Sequence, residues 1–466
     1  MNHPRHFVGL IVAALMPALL IGGRVGAAPA VQPTAVNQQN ALDTVAFRTV
    51  QRGMLGGAHT ILATTNEGKT WTRQYSGPTT LRQFSFVSDS TGWAMGRGSL
   101  LRTTNAGQNW TVVHKPPHAL QQIDFVTASR GWAITGNRPD QMLLYRTEDA
   151  GDTWTRQSLS MPVGAVCFSD AAHGWAARAF STGKTAVTIL ATGDGGTTWR
   201  PVAVPPGAGD IGGFVGQKLS CPTSDTVWDL VTFGGYAGGA AYALYRGTEG
   251  GTQWQVVAQV MAPGNSGAPR GPGTAPGDLA APSGQVAYLA GTCFACGGQG
   301  TTLVGETLDG GKTWRNLGVP DLPTSTTALS FPASHEGWLV ANWQTGAAKQ
   351  QSAVFKTTDG GLIWQRQVPA SQGMVRVTFT LTLYGYVPDG QEFAVAGPRE
   401  LGGGSGAIPI CTTIAARAKL GLVTCVGNRT VYARSILVPR GSTFDFNFER
   451  FTPEHTVSPL ILYSGT

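Results

Sequence analysis

The chain has 466 residues, of which 42% are hydrophobic and 13% charged, so it has ample length for two cores and little charge even for a globular surface. Its 64 glycines, 28 prolines and 13 tryptophans suit an all-β chain with many turns. The net charge of +7 falls to 7 − 2 = +5 once Arg5 and Arg24 of the N-terminal segment are set aside, a surplus that favours anionic partners weakly and gives no reason to expect nucleic acid.

Residues 1–30 carry Arg5, an apolar run from Phe7 to Ile21, and Ala28-Pro29-Ala30 as a small-residue cleavage signal. This is the pattern of a bacterial-type signal peptide. The run is short for a membrane span and no cysteine follows it to accept a lipid, so the expectation is a secreted or extracytoplasmic protein with no span after cleavage. Residues 31–42 read as a polar lead-in linker.

From there one turn motif recurs seven times: TTNEGKTW (64–71), TTNAGQNW (103–110), TEDAGDTW (147–154), TGDGGTTW (192–199), GTEGGTQW (247–254), TLDGGKTW (307–314) and TTDGGLIW (357–364). We call each a box and number the units 1 to 7 by their boxes. The third position, Asn66, Asn105, Asp149, Asp194, Asp309 or Asp359, has a short side chain that can hold nearby backbone N–H groups, with Glu249 the exception. The fifth copy also has Gly247 where the others open with threonine, and is expected to be the loosest turn. Gly68, Gly107, Gly151, Gly196, Gly251, Gly311 and Gly361 occupy the invariant position, as expected where the backbone needs positive φ. The closing Trp71, Trp110, Trp154, Trp199, Trp254, Trp314 and Trp364 open the next strand with a large apolar face.

A second marker precedes each box. Gly92-Trp93, Gly131-Trp132, Gly174-Trp175 and Gly337-Trp338 lie 17 to 26 residues before their box tryptophans, and Phe86, Phe125, Phe168 and Phe331 lie seven residues earlier still. Trp228, Tyr288 and Gly53-Met54 stand in elsewhere. Each unit then reads as four short strands, and box tryptophans spaced 39, 44, 45, 55, 60 and 50 residues apart point to propeller blades. The expected architecture is all-β: a seven-bladed β-propeller over 43–369 and a small C-terminal β-sandwich over 370–466, drawn from the alternation in VRVTFTLTLYGYV, EFAVA, TVYARSILV and TFDFNFERF. Ala262–Ser283, rich in Gly, Pro and Ala, reads as a flexible insertion in which Gly277 tolerates substitution. Gln32 to Leu42 is available to add an outer strand to the seventh blade.

Six cysteines are present. Cys293 and Cys296, in GTCFACGGQG, make a lone C-x-x-C that is weak evidence for a metal and suits a local disulfide in an exported protein. Cys411 and Cys425 suit a bridge between tail strands. Cys167 and Cys221 lie eight and seven residues before their Trp markers, so they are expected on opposite faces as buried free thiols.

These boxes resemble those of the Asp-box, or bacterial neuraminidase repeat, family over about 320 residues. Sialidases of that family carry an Arg-Ile-Pro signature, an arginine triad and a Tyr-Glu pair; the signature is absent here, and Glu67, Glu148 and Glu249 fall inside box turns. Xyloglucanase-type hydrolases pair two such propellers, whereas this chain has one. The blade FVSDSTGWAMGRGSLLRTTNAGQNW (86–110) is similar to those of the photosystem II assembly and stability factor family. That resemblance implies a non-enzymatic, exported scaffold that binds partner proteins, without a cofactor or metal. The alternative is a carbohydrate-active glycoside hydrolase on the same blades.

Two sets of basic residues flank the hairpin closed by each box: Arg102, Arg146, Arg246 and Lys356 before it, and Arg73, Arg156 and Arg366 after its Trp. They are candidates for a basic band that docks an acidic protein or polymer onto a monomeric propeller; the competing reading is that charges protect an outer strand from edge pairing. For hydrolysis the candidates are Asp124 and Asp229, since a glycosidase needs two carboxyl groups about 5 to 10 Å apart. Asp89, Asp170 and Asp225 read as turn formers, and His173 and His335 as surface turn residues.

Overall fold

The computed structural model describes residues 41–179, 188–202, 214–236, 239–260, 271–293, 301–318, 325–345, 349–361, 364–367 and the strands between 374 and 462. Among them the only helical element is the 3-10 turn Pro139–Gln141, and the architecture is an all-β propeller followed by further strands. Residues 34–368 form one compact body, distinct from residues 369–466.

Within the propeller each unit supplies an inner strand, a second strand opened by the Gly-Trp marker, a third ending at the box and an outer strand starting beside the box Trp. In unit 3 these are Leu120–Phe125, Gly131–Thr135, Leu143–Thr147 and Thr155–Arg156, antiparallel throughout. Hydrogen bonding groups the seven units into six blades, five of four strands and one of six, which corrects the expected count of seven. The cause is Thr72–Phe86, one continuous strand. Its first part pairs with Gly53–Thr64 and its last with Gly92–Gly96, so units 1 and 2 share a sheet.

Stacked rings join successive units. Trp93 lies 3.6 Å from Phe125, Trp132 3.3 Å from Phe168 and Tyr288 3.6 Å from Phe331, centroid to centroid and nearly parallel. Each of these phenylalanines also meets its own unit's box Trp edge-on at about 6 Å, Trp154, Trp199 and Trp364 respectively. Trp93, Trp132 and Tyr288 are fully buried, so the Phe-Trp periodicity of the sequence is the periodicity of the inter-unit core. The same stack closes the ring, with Phe47 of unit 1 at 3.5 Å from Trp338 of unit 7. Around it Leu42 N–H donates to Ser352 Oγ at 2.8 Å, Phe47 N–H to Ser330 Oγ at 2.8 Å, and Asn342 Nδ2 to the Leu42 carbonyl at 2.9 Å. Closure therefore runs through side chains from Leu42 onward; Gln32 to Asn40 lie outside the described residues.

Two further expectations are corrected. Ala275–Ala280, inside the segment read as a flexible insertion, is the inner strand of unit 6 and pairs with Ala287–Cys293. Pro276 and Gly277 disguised it: they sit at a register shift, where an irregular strand accepts them. A Cβ on Gly277 would lie 3.3 Å from Ala290 Cβ, so the position is tight. Cys167 and Cys221 form a disulfide with Cα atoms 6.0 Å apart. Opposite faces of their own sheets are what neighbouring sheets present to each other, so the difference in spacing brings the two sulfurs together. Cys293 and Cys296, and Cys411 and Cys425, have side chains outside the described residues.

In the C-terminal body Met374–Tyr384 pairs with Arg429–Pro439, which pairs with Val423–Val426. A second sheet runs Gly406–Pro409, Glu392–Ala396, Phe446–Phe451, Leu460–Leu462.

Candidate functional site: the box turns and the bases around them

Each box is a closed hydrogen-bond circuit. In unit 4, Thr192 Oγ1 donates to Asp194 Oδ1 at 2.8 Å and accepts the Gly196 N–H at 2.9 Å, while Asp194 Oδ1 accepts the Thr198 N–H at 2.9 Å. The Thr-to-Gly and Thr-to-Asp or Asn bonds recur in units 1, 2, 3, 6 and 7. All seven invariant glycines have positive φ, between 81° and 101°. These bonds to neighbouring Thr groups hold the Asp149 and Asp194 carboxyls well below the usual range, at about 2. The fifth turn lacks the circuit. It closes through backbone bonds from Gly251 and Thr252 N–H to the Thr248 carbonyl, over three successive positive φ angles at Glu249, Gly250 and Gly251.

The boxes share one end of the propeller with the turns between inner and second strands, because a backbone N–H of each box reaches that turn. Glu67, Ala106, Ala150, Gly195, Gly250, Gly310 and Gly360 donate to Gln51, Ser90, Ser129, Ala172, Asp225, Gln285 and His335 respectively, at 2.7 to 3.1 Å. The turns are themselves clamped two residues after the Phe position. Ser88, Thr127, Thr223 and Ser283 hydroxyls do this, and so does the Asp170 carboxylate, which takes the Ala172 and His173 N–H groups at 2.7 and 2.8 Å. Asp170 is thus a turn former as expected, whereas in the turns of Asp89 and Asp225 the clamp is the hydroxyl one or two residues earlier, Ser88 or Thr223, because the shared position and not the carboxylate sets the contact.

The seven basic candidates divide. Arg102, Arg146, Arg246 and Lys356 are the cross-strand partners of Trp93, Trp132, Trp228 and Trp338. That register lays three of them over the tryptophan rings, at 5.7 Å for Arg102, 5.7 Å for Arg246 and 5.3 Å for Lys356. Three of the four reach the next unit: Lys356 pairs with Glu67 at 2.9 Å, Arg146 Nη1 bonds Thr197 at 3.3 Å, and Arg246 Nε donates to the Gly284 carbonyl at 2.8 Å. Arg146 also pairs with Glu148, which binds Arg130 as well. Arg73 and Arg156, on outer strands, are exposed, and their side chains form no hydrogen bond or ion pair among the described residues. Arg366 pairs through its backbone with Phe355, and its side chain lies outside the described residues.

The acidic candidates are not brought together. Asp124 Oδ2 accepts the Phe168 N–H of the next inner strand at 2.6 Å, and burial raises its carboxyl to about 7. It belongs to a run of polar clips between inner strands: Gln83 takes and gives bonds at Ile123, Gln122 does so at Val166, and Ser85 Oγ accepts the Phe125 N–H. Asp229 is fully buried in the joint between units 4 and 5. A tyrosine-glutamate pair does exist in unit 6, where Tyr288 OH donates to Glu306 Oε1 at 3.0 Å and Arg315 pairs with the same carboxylate. Tyr288 and Glu306 occupy the cross-strand positions held elsewhere by Trp and Arg. Tyr288 is 0% exposed and Glu306 3%, under the turn of unit 7, and burial pushes the phenol up and away from nucleophilic character.

Comparison with known proteins now adds family information. The profile of the family described as Photosynthesis system II assembly factor YCF48 matches residues 28–165, under a third of the chain and the part that holds units 1 to 3. No curated protein matches in sequence. Among solved structures, an oligogalacturonate lyase in complex with manganese is 12% identical, with 67% of this chain and 87% of that one covered and a TM-score of 0.47. The WD40 repeats of RRP9 are 10% identical, with 68% and 95% covered and a TM-score of 0.47. The xyloglucanase from Xanthomonas campestris is 14% identical, with 74% and 75% covered and a TM-score of 0.26.

Proposed function

We propose that this chain is an exported, non-enzymatic propeller scaffold that binds a partner protein or anionic polymer, in the manner of the photosystem II assembly factor-like family whose profile it matches. The observation that supports this reading most directly is the division of the bases. Arg146, Arg246 and Lys356 reach into the next unit and Arg102 lies over its own unit's Trp93, while Arg73 and Arg156 stand exposed on outer strands without a side-chain partner among the described residues. Of the two carboxyl groups that are candidates for hydrolysis, Asp124 is clipped to a neighbouring strand and Asp229 is sealed in a joint.

Replacing Arg73, Arg156 and Arg366 together by Glu should abolish salt-sensitive capture of material from the extracytoplasmic fraction, without changing thermal unfolding. Unchanged capture rejects the outer-strand surface. Turnover in a glycan hydrolysis screen by the unmodified protein rejects the scaffold reading in favour of a carbohydrate-active enzyme.

A further inference from the structure

The residue after the Gly-Trp marker or its stand-in faces the preceding unit and is apolar in the other six copies: Leu55, Ala94, Ala133, Ala176, Leu289 and Leu339. In unit 5 it is Asp229, at 0% exposure. Gln217 Nε2 donates to Asp229 Oδ2 at 2.5 Å. The second carboxyl oxygen, Asp229 Oδ1, and the amide oxygen, Gln217 Oε1, are both buried without a partner. Two bare acceptors on one acid–amide pair are an expensive arrangement in an apolar joint. A single proton on Oδ1 turns the first into a donor and the second into its acceptor.

We propose that Asp229 is held as a neutral carboxylic acid in a cyclic two-bond pair with the Gln217 amide, which makes the joint between units 4 and 5 a pH-sensitive one. The surroundings agree. On its own sheet the facing titratable group is Tyr245, the cross-strand neighbour of Asp229, which is fully buried and whose phenol is pushed up by burial and by Asp229. Unit 4 contributes Ala165, Trp175, Ala177, Ile189 and Cys167 to this core, none of which carries charge, since Cys167 is in the disulfide. Lys218, the nearest lysine in sequence, is paired with Asp278 of unit 6. With no cation against the carboxylate among the described residues, burial raises this carboxyl to about 8.

The sign follows from linkage. The folded group holds its proton to about pH 8, whereas an unfolded aspartate releases it near about 4, so the stability it contributes is full below the lower value and is lost as pH rises to the upper one. Asp229→Asn preserves both bonds permanently, because its amide donates where the acid proton did. Asp229→Leu installs the residue found at Leu289 and Leu339.

The test is urea unfolding of the full chain between pH 5 and 8, with infrared absorption of protonated carboxyl groups at pH 6. The folded-to-unfolded ratio of the unmodified protein should fall relative to Asp229→Asn by roughly tenfold per pH unit. One protonated-carboxyl band should disappear in both variants. Parallel pH profiles for unmodified and Asp229→Asn protein, or a carboxyl band unchanged in both variants, would overturn the proposal.

Discussion

The joint between units 3 and 4 and the joint between units 4 and 5 perform the same task with different chemistry. At the first, Trp132 stacks on Phe168, Gln122 and Asp124 clip the next inner strand, and Arg146 reaches across to the Thr197 hydroxyl. At the second, Cys221 stands where the phenylalanine would be and is bonded to Cys167, and a buried carboxyl faces across the gap. An aromatic stack holds a joint by area and shape, distributed over many weak contacts. A covalent bridge holds it at one point and leaves the surrounding side chains freer to vary, which is where Asp229, Gln217 and Tyr245 are found. The contrast shows that the repeat constrains backbone placement more tightly than it constrains the means of joining units.

The largest effects should come from breaking each joint in its own terms. Phe168→Ala removes a stack and an edge contact together and should lower unfolding free energy by about 3–5 kcal/mol in denaturant titration. Joint replacement of Cys167 and Cys221 by Ala should lower it by about 2–4 kcal/mol, and added reductant should bring the unmodified protein close to that variant. If reductant weakened Phe168→Ala no more than it weakened the double alanine variant, the two joints would not be distinct devices.

A smaller effect separates turn geometry from turn composition. Gly196 has φ of 87° and a Cβ there would lie 3.2 Å from Trp199 and 3.4 Å from Trp132 Nε1, whereas Gly193 in the same box has nothing within 4 Å. Gly196→Val should cost about 3 kcal/mol and Gly193→Val under about 0.5, read as melting shifts of the two variants. Equal shifts would mean that the box tolerates side chains at its conformational centre.

The smallest effect is electrostatic. Asp194 is held near 2 by the Thr198 and Thr192 bonds, so the stability it contributes is present above the unfolded aspartate value of about 4 and lost as pH falls through about 2. Carboxyl-carbon titration should show Asp194 still ionised at a pH where an aspartate of an unfolded chain, near about 4, has become protonated. Coincident titration would remove the carboxylate from the circuit that distinguishes six boxes from the fifth.

Much of this was legible in the sequence, and the reasons are local. Box glycines with left-handed φ, the Phe and Trp positions and the divergent fifth turn are short-range patterns that the chain repeats, so spacing alone locates them. What spacing does not carry is which strands continue. The sheet shared by units 1 and 2 depends on Thr72–Phe86 running without a break, and Gly77 and Pro78 in its middle conceal that. The inner strand at Ala275–Ala280 was hidden by its own Pro and Gly. The disulfide and the roles of Arg146, Arg246 and Lys356 depend on contacts between units, where a side chain's meaning is set by a neighbour far away in sequence.

Closure through Phe47 and Trp338 gives the chain a defined last event. A ribosome releases Phe47 near the start of the propeller and Trp338 near its end, so the earliest aromatic ring waits through the synthesis of almost every other blade for its mate. Until then one apolar edge at each end of the growing arc is uncovered, and the arc becomes a ring only when both are hidden at once. The molecule thus carries an internal record of whether its ring is whole, written in the contacts that join the first unit to the last.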